Sequence, residues 1–126
     1  MTDTKKIIVI DDDQELVSFM TMLLQDNGYQ TVEANNGEQG LQRTRQEHPD
    51  LILLDISMPE KSGVRFYREL CGDDELKDIP VVMVTGVTED FKRFIHQRKQ
   101  VPPPAGYLTK PVDQQELLAT ITKLLT

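Results

Sequence analysis

Short unbroken apolar runs alternate along this chain with longer segments in which apolar residues return every three or four positions. KIIVI at 6–10 is the first run, and Leu16, Val17, Met20, Leu23 and Leu24 after it mark one helical stripe with Gly28 as its expected stop. YQTVEA at 29–34 reads as a short strand, followed by a helix that the polar NNGEQG leads and that runs to about Glu47, where Pro49 blocks further helix. The LILLDI strand at 51–56 comes next, then a helix from about Gly63 to Cys71, a polar loop GDDELKDI, and the strand PVVMVT at 80–85. A fourth stripe follows at Val87, Phe91, Phe94 and Ile95. AGYL then makes a fifth short strand, and Leu117, Leu118, Ile121, Leu124 and Leu125 line a last amphipathic helix.

Five β/α units predict a parallel sheet covered on both faces by five helices, because parallel strands need crossover connections and helices supply them. A strand buried on both sides has no reason to alternate, which accounts for IIVI, LILL and VVMV. The expected class is α/β, a five-stranded parallel sheet in the order 2-1-3-4-5. The 126 residues are read as one domain, 1–126, large enough to bury a single core.

Composition narrows the function classes. With 38% hydrophobic and 28% charged residues the chain reads as globular, and its apolar runs are too short to span a bilayer. The lead-in MTDTKK lacks the long apolar stretch and small-residue cleavage site of a secretory signal, so a cytoplasmic location is expected. The single cysteine, Cys71, has no Cys/His cluster around it and reads as a reduced structural thiol. A formal charge of −7 argues against sequence-independent nucleic-acid binding. The basic stretch FKRFIHQRKQ at 91–100 reads as a solvated helix face, with docking of an acidic partner as the alternative. Pro102, Pro103 and Pro104 read as a stiff connection.

Polar residues stand at the carboxyl ends of four predicted strands: Asp11 and Asp12, Asp55, Thr85, and Lys110. Open α/β sheets bind ligands outside that edge, where strand order reverses, which here lies between strands 1 and 3. Those two strands carry the acids. Asp13, by contrast, reads as a helix cap. A pair of carboxylates about 4 Å apart repels by about 4 kcal/mol at an effective dielectric near 20, so something must offset the charge. Lys110 can neutralise one, and an all-oxygen set without His or Cys favours Mg2+ over zinc. Acids, a hydroxyl and an ammonium suit a transferring phosphoryl group, and without a Gly-rich phosphate loop a carboxylate nucleophile is the better reading than a bound nucleotide. His48 and His96 lack a Ser or Cys partner and read as surface residues, and Met20, Met22, Met58 and Met83 as packing.

DDD at 11–13, LLDISMP at 53–59, VTG at 84–86 and YLTKP at 107–111 together resemble a response-regulator receiver domain, over nearly the whole chain. The resemblance implies a flavodoxin-like, chemotaxis-regulator-like fold and a role in two-component signalling or a phosphorelay. It implies that Asp55 accepts a phosphoryl group from a phosphohistidine on a sensor histidine kinase or histidine phosphotransfer protein. It further implies Mg2+ bound by the side chains of Asp12 and Asp55, by the backbone carbonyl of Ser57 and through water by Asp11. Thr85 would hydrogen-bond the phosphoryl group, Lys110 would pair with it, and the Lys110–Pro111 peptide would be cis. Thr85 and Tyr107 would act as the switch, changing the face formed by the fourth predicted helix, the fifth strand and the last helix. Such a protein is not an enzyme with its own substrate, although it assists its own phosphorylation and dephosphorylation.

The chain departs from the family's pattern in places. The segment from Thr85 to Lys110 is longer than usual and holds the triple proline, Lys61 and Ser62 replace a hydrophobic residue and an acid, and Ser57 and Val87 occupy positions that tune water access. From Met1 to the last helix the chain reads as a stand-alone phosphoacceptor, monomeric or weakly dimeric, acting on an unidentified downstream protein and not on nucleic acid or membrane. The alternatives are the receiver portion of a longer regulator with an output domain, or an interaction module that does not use phosphorylation. A phosphoaspartate hydrolase shares the nucleophile, but no spare segment is present to shape a substrate pocket.

Overall fold

Five parallel strands hydrogen-bond in the order β2-β1-β3-β4-β5 in a computed structural model that describes residues 4–55, 62–86 and 104–126. The elements run β1 (Lys6–Ile10), α1 (Gln14–Asp26), β2 (Gln30–Ala34), α2 (Gly37–Glu47), β3 (Leu51–Asp55), α3 (Ser62–Cys71), β4 (Val81–Thr85), β5 (Gly106–Thr109) and α4 (Gln114–Leu125). The predicted stripe at Val87, Phe91, Phe94 and Ile95 lies outside the described residues, as do the basic stretch at 91–100 and the first two prolines of the triplet.

Burial explains the unbroken apolar runs. Every residue of β3 and β4 is buried, as are the last four of β1, while the edge strands β2 and β5 keep exposed positions. Two apolar layers flank the sheet. On one side Ile7, Val9, Leu51, Leu53, Val82 and Val84 pack with Val17, Met20 and Leu24 of α1 and Leu117 and Ile121 of α4. On the other, Ile8, Ile10, Ile52, Leu54 and Met83 pack with Phe66, Tyr67 and Leu70 of α3. Alternate residues of each strand therefore feed opposite layers, which is the period of two that a strand imposes.

The helix ends follow from local chemistry. Asp13 caps α1, its side chain accepting from the backbone N–H groups of Glu15 and Leu16, and Asn36 caps α2 by accepting from Gln39. After α1, Gly28 takes φ +90 with open space around the position of a Cβ, a conformation that favours glycine over any residue with a side chain. Exposed His48 ends α2 in the left-handed region at φ 46, ahead of Pro49.

α2 differs from the apolar stripes. Its fully buried positions are Gly37, Gly40 and Thr44, and the Thr44 hydroxyl donates to the Gly40 carbonyl at 2.6 Å. These small residues bring the helix backbone close to the sheet: a Cβ added to Gly40 would lie 2.7 Å from Cδ1 of Ile10. Gly40→Val is accordingly expected to lower the unfolding free energy by about 2 kcal/mol, with Ile10→Val in the same chain recovering part of the loss. Urea melts check this, and an unchanged midpoint in the single variant would show that α2 can back away from the sheet.

Candidate functional site at the carboxyl edge of the sheet

Parallel strands end together, so the residues that follow them share one edge. Asp11 follows β1 directly, its N–H bonded to the carbonyl of Ala34 at the end of β2. Asp55 closes β3 opposite Val84 of β4, which places Thr85 one residue beyond it on the neighbouring strand. Lys110 leaves β5 with its N–H on the Thr85 carbonyl at 2.8 Å. The peptide from Lys110 to Pro111 is cis, as the resemblance implies.

Three carboxylates and one ammonium meet there. Asp11, Asp12 and Asp55 each offer an oxygen within 4.8 Å of the others. Asp11 and Asp55 are both 2% exposed, whereas Asp12 faces solvent. The Lys110 Nζ donates to Asp55 Oδ2 at 3.2 Å and stands 3.5 Å from Asp11 Oδ2, with 27% of its side chain exposed. Asp11 Oδ1 accepts the Asp13 backbone N–H at 2.9 Å, while Asp11 Oδ2 is buried without a hydrogen-bond donor in bonding geometry.

The electrostatics follow from this packing. Burial pushes the Asp11 carboxyl up to about 7, the Asp13 N–H pulls it down, the Asp55 charge adds to the rise, and Lys110 opposes it. Burial disfavours the charged ammonium of Lys110, but Asp55 and then Asp11 more than offset this and hold it above its ordinary value. One ammonium thus serves two buried acids, with a third at the rim. A hard divalent cation with oxygen ligands fits such a donor set, since the buried Asp11 Oδ2 has only the Lys110 ammonium at 3.5 Å, outside hydrogen-bonding geometry, and Asp12 is exposed.

Thr85 is 1% exposed, and its hydroxyl donates to the carbonyl of Gly86 at 3.0 Å. Nothing in the sequence signals the part of Gly86 as the resting acceptor, because any residue supplies a carbonyl. Tyr107 sits on β5 opposite Met83 and packs against the layer beside α3. Ser57 lies outside the described residues.

A carboxyl whose pKa rises on folding contributes stability that is fully present below its unfolded value of 3.8 and lost as pH climbs through about 7. In chelator, Asp11→Asn is therefore expected to stabilise the protein at pH 8 by on the order of 2 kcal/mol, with the gain vanishing toward pH 4. Thermal melts at the two pH values check this. A loss of stability at pH 8 would mean that the ionised Asp11 is well compensated by its surroundings.

The comparisons with known proteins agree with the geometry. Residues 7–122 match the family model described as the response regulator receiver domain. Protein PilH of Pseudomonas aeruginosa is 37% identical over 120 residues, covering 95% of this chain and 97% of its own. The polar-differentiation response regulator DivK of Brucella ovis is 31% identical over 122 residues, with 97% of each chain covered. Among solved structures, chemotaxis protein CheY4 of Vibrio cholerae superposes with a TM-score of 0.85 at 28% identity, over 97% of this chain and 99% of its own. With the family model spanning nearly the whole sheet and its acidic edge, the chain belongs to the response-regulator receiver domains, the phosphoacceptor modules of two-component signalling.

Proposed function

We propose that Asp55 is the phosphoacceptor of this receiver and that it takes its phosphoryl group from a phosphohistidine on a sensor histidine kinase or histidine phosphotransfer protein. The observation that carries this is the ion pair of buried Asp55 with Lys110 at 3.2 Å, beside two further acids at the end of the sheet. An Asp55 oxygen attacks phosphorus in line with the histidine nitrogen. The P–N bond breaks, its electron pair stays on the imidazole, and the imidazole is protonated as it leaves.

The chain's own residues supply much of what that transfer needs. Lys110 stands where charge develops on the transferring oxygens, and a preorganised cation beside developing charge is worth several kcal/mol. Asp11, Asp12 and Asp55, with the Ser57 carbonyl, would hold Mg2+, which when bound neutralises charge on the acids and on the phosphoryl oxygens. Thr85 must turn its hydroxyl from the Gly86 carbonyl to reach a phosphoryl oxygen, which couples modification at Asp55 to movement at the end of β4. Tyr107 on the adjacent strand follows, shifting a pre-existing equilibrium on the face that β5 and α4 help to form.

In this reading the protein assists its own phosphorylation and dephosphorylation and turns over no other substrate. It passes the signal to a downstream protein in the cytoplasm, as a monomer or weak dimer, without contacting nucleic acid. Among the described residues no helix is long and apolar enough to cross a membrane.

Intact-mass spectrometry after incubation with acetyl phosphate and Mg2+ tests the assignment. One phosphoryl group is expected on the wild-type chain and none on Asp55→Asn or in the presence of chelator. Lys110→Ala is expected to slow its appearance by roughly 10- to 1,000-fold. An adduct that persists in Asp55→Asn would place the acceptor elsewhere.

A further inference from the structure

Asp13 caps α1, and it also reaches back to the acidic edge. Its Oδ1 accepts the backbone N–H groups of Glu15 at 3.1 Å and Leu16 at 3.3 Å, and its carbonyl accepts that of Val17 at 3.0 Å. These bonds hold the residue extended, at φ −85 and ψ 100, at the head of the helix. Held this way, its own N–H donates to Asp11 Oδ1 at 2.9 Å. The Asp11 backbone is fixed from the other side, with its N–H on the Ala34 carbonyl at 3.1 Å. With Oδ1 engaged, the Asp11 carboxylate cannot turn freely, and its buried Oδ2 stands 3.5 Å from Lys110 Nζ.

A carboxylate that serves a cation must present its oxygen in a fixed direction, and the hydrogen bonds behind it hold that direction. Exposed Asp13 is not among the three acids whose oxygens converge, because its own carboxylate is engaged by the helix. We propose that Asp13 is a positioning residue: by capping α1 it places the N–H that aims Asp11, and so sets the affinity of the acidic edge for Mg2+. This deepens, and rests on, the reading of Asp11, Asp12 and Asp55 as the Mg2+ site. What matters in Asp13 is an oxygen that caps the helix, not a charge, so a neutral residue with such an oxygen can replace it.

Mg2+ titrations of the full chain followed by NMR, with hydrogen exchange of the residue 13 amide measured in chelator, test this. Asp13→Ala is expected to weaken Mg2+ binding about tenfold, the low end for losing a group that orients a metal ligand, and to speed exchange at that amide. Asp13→Asn and Asp13→Ser keep a capping oxygen and should stay within about twofold of the wild-type chain in both readouts. Asn36→Ala removes the cap of α2 instead, where the side chain accepts the Gln39 N–H at 2.8 Å, and should lower stability while leaving Mg2+ affinity unchanged. Unchanged affinity in Asp13→Ala overturns the proposal. So does an Asp13→Asn chain that binds as weakly as Asp13→Ala, since the charge would then be what counts, or an Asn36→Ala chain weakened as much. A wild-type chain that takes up no Mg2+ overturns the metal site itself, a failure distinct from an Asp13→Ala chain that binds as well as the wild type.

Discussion

Asp11 and Asp55 are withdrawn from water at the end of a parallel sheet and share the ammonium of Lys110. Two carboxylates so close repel by about 4 kcal/mol if both are charged, at about 4 Å and an effective dielectric near 20. Burial adds to the cost, so the fold must hold the acids there against their own preference. Backbone hydrogen bonding within the sheet does this: Asp11 is tied to Ala34 and Lys110 to Thr85, while Asp55 is itself the last residue of β3. The result is an edge poised for added positive charge or for a phosphoryl group that brings its own demand for cations.

Such a device works only if its scaffold is stiff. Strands β1, β3 and β4 are packed on both sides, and the two layers leave the acids no easy retreat into solvent. The residues assigned to the proposed switch lie on β4 and β5, toward one edge of the sheet. Thr85 hydrogen-bonds a carbonyl it can release, and Tyr107 sits on an edge strand where one side of the ladder is open. The coupling proposed between Asp55 and these residues would leave the core undisturbed.

Much of this was legible in the sequence because the relevant residues interrupt strong patterns. An acid after IIVI or LILL is conspicuous; one alone reads first as a cap or a turn, but strand order brings Asp11, Asp12 and Asp55 together. Lys110 and Thr85 were read from their places at the carboxyl ends of predicted strands. The inner face of α2 was less visible: Gly37, Gly40 and Thr44 pack through closeness of backbone and leave no apolar periodicity to read. The fourth predicted helix lies outside the described residues.

The most direct test of this electrostatic balance is the melting temperature at pH 8 in excess Mg2+ against chelator, for the wild-type chain and for Asp12→Ala. A cation that relieves the buried acids should raise the wild-type midpoint by roughly 5–10 °C at saturating metal, and much less in the variant. A wild-type midpoint that Mg2+ leaves unmoved would contradict the claim that the acidic edge is suited to a divalent cation.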